Sequence, residues 1–410
     1  MEKKLKVYIY TVGCNRRLLD AQRIKVYCEN NGYQITIAPE EADYIVINTC
    51  ALDNRTEKTS LDIVKKFNTL PGKLIVAGCL PKINKPALNK IYQGPNISPT
   101  SLDTIQTYIP QKGMPFKKIT DQNEFYLNEY PDYIESKRLI GKKIKKNFYQ
   151  SKNFIKETFS KLNTLNRNET IHIRISWGCL GNCSYCAIKN AIGKHKSKPL
   201  NLCISEFSNA LQKKYKYFEL LADDIGAYGL DIGLTFPFLL KKILIIPNNF
   251  SLYLQDIHPR WLNLYEKELK EILMDKKIIK TGFPIQSGSK KILKLMHRDT
   301  NIQKTKKILL FLKKYRPDLK IDTHIIIGFP GETESDFKKT LQFVKNISFS
   351  KVWIYKFDKK INTEAYQLSN QVPNKTIIHR IHRAQIFFKK YNIDCKMIWE
   401  PIDSDTNQYL

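Results

Sequence analysis

A chain of 410 residues with 42% apolar residues is long enough for two or three domains with ordinary cores. No uncharged apolar run approaches the roughly 18 residues of a membrane span, and Met1 to Lys6 leads into a short strand pattern with no signal-peptide core, so a soluble cytoplasmic protein without membrane attachment is expected. The formal charge of +29 suits a polyanionic partner such as RNA, although a chain-wide lysine bias supplies the same charge without one, and nine clustered cysteines argue for metal or redox chemistry over a disulfide scaffold.

From Lys6 to about Leu80, short apolar runs alternate with amphipathic stretches. The pattern predicts strands at 7–10, 35–37, 44–47 and 74–77 and helices at 18–29 and 55–67, a small α/β domain with a mostly parallel sheet over residues 1–95. Residues 96–168 read as a linker with some helix, interrupted by Gly113 and Pro115. From 169 to 375 strands are predicted at 171–176, 217–222, 250–254, 279–284, 321–327 and 352–355, with helices between most of them, among them 262–274, 302–315 and 333–346. Six β/α units imply a partial, TIM-like (β/α)6 barrel, whose ligands sit at the carboxyl ends of the strands. Residues 376–410 read as one helix, Thr376 to Tyr391, and a tail.

Directly after the first barrel strand stands Trp177-Gly178-Cys179-Leu180-Gly181-Asn182-Cys183-Ser184-Tyr185-Cys186. Three thiolates in C-x3-C-x2-C spacing can hold three irons of a cubane cluster and leave the fourth open to a ligand. The alternative, a structural zinc, needs a fourth Cys or His, for which His195 is the near candidate. In the N-terminal domain Cys14, Cys50 and Cys79 each follow a predicted strand, which puts three thiols on one edge of a sheet. Each alone also reads as a small buried hydrophobe, the reading given to Cys28, Cys203 and Cys395.

The C-x3-C-x2-C loop resembles that of the radical-SAM superfamily. Thr11-Val12-Gly13-Cys14, Asn48-Thr49-Cys50 and Gly78-Cys79 are similar to the N-terminal domain of radical-SAM methylthiotransferases, and Gly193 to Pro199, Asp223 to Gly229, Pro284 to Ser289 with Met296 and Arg298, and Gly328 to Thr333 match further blocks in order. The resemblance implies two 4Fe-4S clusters, one on Cys179, Cys183 and Cys186 and an auxiliary one on Cys14, Cys50 and Cys79. It also implies two S-adenosylmethionines per turnover. One methylates a sulfur held at the auxiliary cluster, and the other yields a 5′-deoxyadenosyl radical that takes hydrogen from the substrate carbon. A reductant such as flavodoxin or ferredoxin is implied as partner.

By the same resemblance Tyr185, Asp223, Asp224, Gln286, Ser287, Arg298 and Gly328 are cofactor-binding candidates. Asp223 and Asp224 are placed to meet the SAM ammonium or a substrate group, or to cap a helix, Gln286 and Ser287 to touch SAM, and Arg298 to pair with a carboxylate or form a surface bridge. Gly328 and Gly331 would let adenine or ribose approach the backbone, and Glu332 is expected to cap the next helix. Members act on tRNA adenosines beside the anticodon or on a ribosomal-protein aspartate. The Asp224-Ile225-Gly226-Ala227-Tyr228-Gly229 block is closest to the tRNA enzymes, with a dedicated peptide or protein modifier, or an iron–sulfur scaffold or sensor, as alternatives. Lys189, Ile192, His324 and Lys359 to Thr363 depart from the family pattern, and the C-terminal β-barrel usual in the family is not expected before Leu410. These departures bear on the substrate more than on the reaction.

Overall fold

The computed structural model describes residues 4–121, 123 and 170–398. The first sheet contains β1 (Lys6–Thr11), β2 (Gln34–Ile35), β3 (Tyr44–Thr49), β4 (Lys73–Gly78) and β5 (Asn96–Ile97), all parallel in the order β2-β1-β3-β4-β5. The central strands are apolar on both sides, as a parallel sheet covered on both faces requires. Val7, Ile9, Val46 and Ile75 pack with Ile24, Tyr27 and Cys28 of α1 (Asn15–Asn30), whereas Tyr8, Tyr10, Ile45, Ile47 and Val76 pack with Ile63, Val64 and Phe67 of α2 (Asn54–Phe67). Asp53 starts α2 with a capping box, its carboxylate accepting the Thr56 N–H at 2.7 Å.

The strand expected at 35–37 is two residues, 34–35, and the expected linker opens inside this domain. β5 extends the sheet, and Ile105, Ile109 and Phe116 are buried on its α1 face. The rest of that segment, 124–169, lies outside the described residues, as does the tail after 398.

The second sheet is a parallel partial barrel. It holds β6 (Thr170–Arg174), β9 (Tyr217–Leu221), β10 (Ser251–Leu254), β11 (Ile278–Gly282), β12 (Lys320–Ile327), β13 (Lys351–Lys356) and β14 (Cys395–Ile398) in the order β14-β13-β12-β11-β10-β9-β6, with β7 (Ser176–Trp177) and β8 (Lys196–Ser197) as a small antiparallel ribbon. Six strands stand where the apolar runs predict them. The seventh, β14, replaces part of the expected tail and pairs with β13 from Val352↔Cys395 to Tyr355↔Ile398. Val352 and Ile354 enter the main core, while Trp353 and Tyr355 alternate to the other face. The predicted helix 262–274 divides into Pro259–Leu264 and Glu266–Ile272. Among the described residues no helix is long and apolar enough to cross a membrane.

The start of α1 docks on the carboxyl ends of the barrel strands. Asn15 Nδ2 donates to Glu219 Oε2 at 2.9 Å, and Arg16 Nη1 donates to Ala222 O at 2.9 Å and Gln255 Oε1 at 2.8 Å. Arg174 Nη1 reaches Asp20 Oδ1 at 2.8 Å with both side chains 1% exposed, which makes this a desolvated pair. A second tie joins Lys360 Nζ to Glu57 Oε2 at 2.8 Å, beside the Asn54 N–H donated to Asp358 Oδ2 at 2.8 Å. The strand-end edges of the two sheets are thereby held against each other.

Candidate functional site

Because β1, β3 and β4 are parallel neighbours, the residues that leave their carboxyl ends share one edge. Cys14 is the N-cap of α1, Cys50 follows β3 directly, and Cys79 follows β4 as N-cap of the short helix Leu80–Ile83. The three line one cavity of about 410 Å³. Gly13 is required here: at φ 144° a Cβ on it would stand 3.1 Å from Cys50 Cβ, so the Cys14 loop passes directly against Cys50. Ser60 Oγ accepts the Cys50 N–H at 3.0 Å and donates to the Cys50 carbonyl at 2.7 Å, while the Cys79 N–H donates to Thr49 O at 3.0 Å. These bonds fix the backbone from which the Cys50 and Cys79 thiols project.

Burial raises every thiol of this set, but at Cys14 the guanidiniums of Arg16 and Arg17 prevail and hold it below the usual thiol range. Cys50 is pushed up to about 11 by burial and by Cys14, and Cys79 further still by burial. Three soft sulfur donors on one cavity wall, with the cations Arg16 and Arg17 beside Cys14, are the donor type an iron–sulfur core takes, although among the described residues no group of three Cys, His, Asp or Glu side chains is arranged to hold a single metal ion.

The second triad follows β7. Gly181 donates its N–H to Cys179 Sγ at 3.0 Å, and a Cβ on Gly181 would lie 3.0 Å from Cys179 Sγ and 3.9 Å from Cys183 Sγ. A side chain at Gly181 would crowd the Cys179 sulfur. Arg298 Nη1 donates to Cys183 Sγ at 3.7 Å, and the Cys186 N–H closes the turn on Cys183 O at 3.1 Å. Burial, with Asp224 beside it, pushes Cys179 up to about 12, and burial raises Cys186. Amide and guanidinium donors aimed at sulfur are the surroundings that stabilise cluster thiolates. His195 is not among these sulfurs: its Nε2 lies 3.1 Å from Ser197 Oγ and 3.5 Å from Asp231 Oδ1.

The remaining sequence candidates divide. Asp223 and Asp224 brace the loop: Asp223 Oδ2 accepts the Gly178 N–H at 3.0 Å and its Oδ1 lies 2.9 Å from Arg16 Nε. Asp224 accepts Trp261 Nε1 at 2.6 Å, the Leu180 N–H at 3.3 Å and a bond from Arg260. Neither caps a helix through its side chain. Arg298 is turned onto Pro284 O and Cys183 rather than forming a surface bridge. Tyr185 meets Phe329 edge-on at 6.4 Å and lies beside Cys183 and Arg298. Gln286, at φ 64° and 8% exposed, keeps its Oε1 without a hydrogen-bond partner.

Ser287 is fully buried, its hydroxyl 3.2 Å from Thr340 Oγ1. At Gly328, φ 87°, a Cβ would meet Ile377 at 2.4 Å, so the direction a side chain would take is filled by the helix Asn374–Lys390. Glu332 is not the expected cap: Thr333 and Asp336 cap the next helix, and Glu332 accepts from the Gly328 N–H and Arg380. Among the departures, Ile192 lines the cysteine cavity, Lys189 binds Asn182 Oδ1 at 2.7 Å, and His324 Nδ1 stands 3.5 Å from Asp256 Oδ2.

Arg16, Arg17, Arg55, Tyr355 and Lys396 also line the cavity, and the sequence reading passed over them. Arg16, two residues past Cys14, and Arg55, five past Cys50, had proximity as a signal. Lys396 had none, since its strand is recognisable only from its partner.

Two family models match the chain, "Uncharacterized protein family UPF0004" over residues 6–97 and the "Radical SAM superfamily" over residues 173–344. A tRNA-2-methylthio-N(6)-dimethylallyladenosine synthase of Thermodesulfovibrio yellowstonii is 30% identical over 92% of this chain and 81% of its own length. A probable threonylcarbamoyladenosine tRNA methylthiotransferase of Pyrococcus abyssi is 29% identical over 97% and 88%, and a ribosomal protein uS12 methylthiotransferase of Carboxydothermus hydrogenoformans 29% identical over 92% and 81%. The fold is also that of the radical S-adenosylmethionine methyltransferase TsrM of Kitasatospora setae, at a TM-score of 0.57 and 10% identity over 85% of this chain and 72% of the other. An N-terminal parallel sheet with a cysteine after each of three strands, and a partial barrel with a C-x3-C-x2-C loop after β7, with relatives alike over most of their length, make this chain an enzyme of the radical-SAM methylthiotransferase family, which implies iron–sulfur clusters and S-adenosylmethionine.

Proposed function

We propose that this methylthiotransferase acts on an adenosine of tRNA, with Cys179, Cys183 and Cys186 holding one 4Fe-4S cluster and Cys14, Cys50 and Cys79 the other. The tRNA part of this reading is supported by the likeness to tRNA methylthiotransferases of Pyrococcus abyssi and Thermodesulfovibrio yellowstonii, and the two-cluster part by a shared carboxylate. Asp223 lines the cavity of the N-terminal triad and also accepts the N–H of Gly178, next to Cys179. Bound at the two triads, clusters with one open iron each would supply reductive cleavage of S-adenosylmethionine at the barrel and a sulfur carrier at the N-terminal sheet.

The chain's own part is positioning. Gly181 and Arg298 present donors to the barrel sulfurs, and Arg16 and Arg17 offset negative charge at Cys14. Gln286 Oε1, buried and unpartnered, would serve as an acceptor for the ammonium of S-adenosylmethionine, and Tyr185, edge-on to Phe329, would stand beside the bound cofactor. Ile188, Ile192 and Ile398 give the cavity apolar walls, which limit water around a reactive carbon. Two S-adenosylmethionines would serve each turnover, with flavodoxin or ferredoxin as electron source.

A ribosomal-protein residue is the second reading, because the uS12 enzyme of Carboxydothermus hydrogenoformans is as similar as the tRNA enzyme of Pyrococcus abyssi. Anaerobic reconstitution tests the clusters: about eight irons per chain are expected, falling to about four in the Cys179→Ala, Cys183→Ala, Cys186→Ala variant and equally in the Cys14→Ala, Cys50→Ala, Cys79→Ala variant. If the N-terminal variant loses no iron, the sulfur-carrier role fails. Mass spectrometry of nucleosides from tRNA incubated with the reconstituted enzyme separates the substrates. A methylthioadenosine supports tRNA, and its absence alongside a methylthiolated uS12 peptide supports the second reading.

A further inference from the structure

The charged groups on the cysteine cavity are unequally answered. Arg16 pairs with Asp223 and Arg17 with Asp20 at 2.8 Å, and the Asp53 carboxylate is occupied as the cap of α2. Arg55 and Lys396 differ. Among the described residues no carboxylate pairs with either, and Arg55 Nε is buried without a hydrogen-bond partner. They reach the cavity from different domains, Arg55 from the first turn of α2 and Lys396 from the edge strand β14.

Aromatic surface lies with them. Tyr355 of β13 lines the same cavity, and Trp353, two residues earlier, shares its face of the sheet. Lys396 Nζ stands 5.5 Å from the Trp353 ring and Lys351 Nζ 5.1 Å, while His324 packs at 5.5 Å from Tyr355. Lys351 is paired with Asp394 at 3.1 Å, which leaves Arg55 and Lys396 as the cations without a carboxylate partner; such cations near aromatic surface are the chemistry that holds unpaired nucleotides, with phosphate on the cations and base on a ring. A peptide carboxylate would satisfy the cations but make no use of the aromatic surface of Tyr355 and Trp353.

We infer that Arg55, Lys396 and Tyr355 form a subsite for one unpaired nucleotide of the RNA substrate, its phosphate held by Arg55 and Lys396 and a base laid on the Tyr355 ring, beside the Cys14, Cys50 and Cys79 triad. This rests on the tRNA reading above and extends it to named contacts. The two domains then grip the substrate jointly, and β14 completes the site.

The test is binding, independent of turnover. The anaerobically reconstituted full chain is titrated by fluorescence anisotropy against a labelled anticodon stem-loop RNA at several KCl concentrations, with iron content and melting temperature as folding controls. Arg55→Ala and Lys396→Ala are each expected to weaken binding about tenfold at low salt and to make the log–log salt slope shallower by about one, whereas Arg55→Lys keeps the slope. Tyr355→Leu is expected to weaken binding about tenfold without changing the slope. Arg55→Gln replaces Arg55→Ala if the latter does not fold. Wild-type RNA binding unchanged in all these variants overturns the subsite and leaves the tRNA reading standing. A wild-type enzyme that binds a uS12 peptide and no RNA overturns both.

Discussion

Asp223 Oδ1 lies 2.9 Å from Arg16 Nε, while the other oxygen of the same carboxylate accepts the Gly178 N–H at 3.0 Å. One side chain, 5% exposed, thus links the residue two past Cys14 to the residue before Cys179, across the boundary between the two sheets. The spacing of the two thiol loops is set by this contact together with the Arg16 bonds to Ala222 and Gln255.

Replacing Asp223 by Asn keeps an acceptor for Gly178 but leaves Arg16 without its counter-charge. Breaking a buried pair costs about 3–5 kcal/mol, and the partial exposure of Arg16 puts this pair at or below the low end. The melting temperature is expected to drop by several degrees. If Asp223 positions the loops, the ratio of methylthiolated product to 5′-deoxyadenosine falls about tenfold. An unchanged ratio, with both products reduced alike, would reduce the pair to a purely structural part.

Lys360, which departs from the family pattern, is 5% exposed and clamps Glu57, 14% exposed, from the other domain. Lys360→Ala strands a buried carboxylate that also accepts from Asn84, and a loss of about 3 kcal/mol is expected in calorimetry. The Lys360→Met, Glu57→Gln double variant recovers most of it. A single variant as stable as the parent refutes the clamp.

Gly328→Ala places a methyl group against Ile377 at a positive φ, and a loss of about 1–3 kcal/mol is expected in urea unfolding. The affinity for S-adenosylmethionine, read by equilibrium dialysis on folded protein, should change less than about twofold. A large fall in that affinity with normal stability would return Gly328 to the cofactor site.

Burial pushes Glu332 up to about 7, against the pull of the Gly328 N–H and Arg380. The folded state therefore holds this proton more tightly than the unfolded chain. Its contribution is full below the ordinary value of 4.5 and is lost as pH rises toward about 7. Relative to wild type, Glu332→Gln should gain melting temperature progressively from pH 4.5 to 7 and level off above. A difference that is flat with pH would show that Glu332 titrates normally.

The sequence by itself determined the two cysteine sets and the strands that end beneath them. Apolar runs and C-x3-C-x2-C spacing are local, and a cysteine that follows a strand in a parallel sheet must lie at its carboxyl edge. Every partner of those residues was decided by tertiary structure. Asp223 and Asp224 brace the barrel loop, the space beside Gly328 belongs to Ile377, Lys360 finds Glu57, and Cys395–Ile398 becomes a strand through β13. Each depends on a group far away in the chain, and neither a residue's own propensity nor a motif block carries the position of that distant group. The same reason makes the cavity wall of Arg55, Tyr355 and Lys396 visible only in the folded chain, since helix α2, β13 and β14 become neighbours only when the two sheets meet.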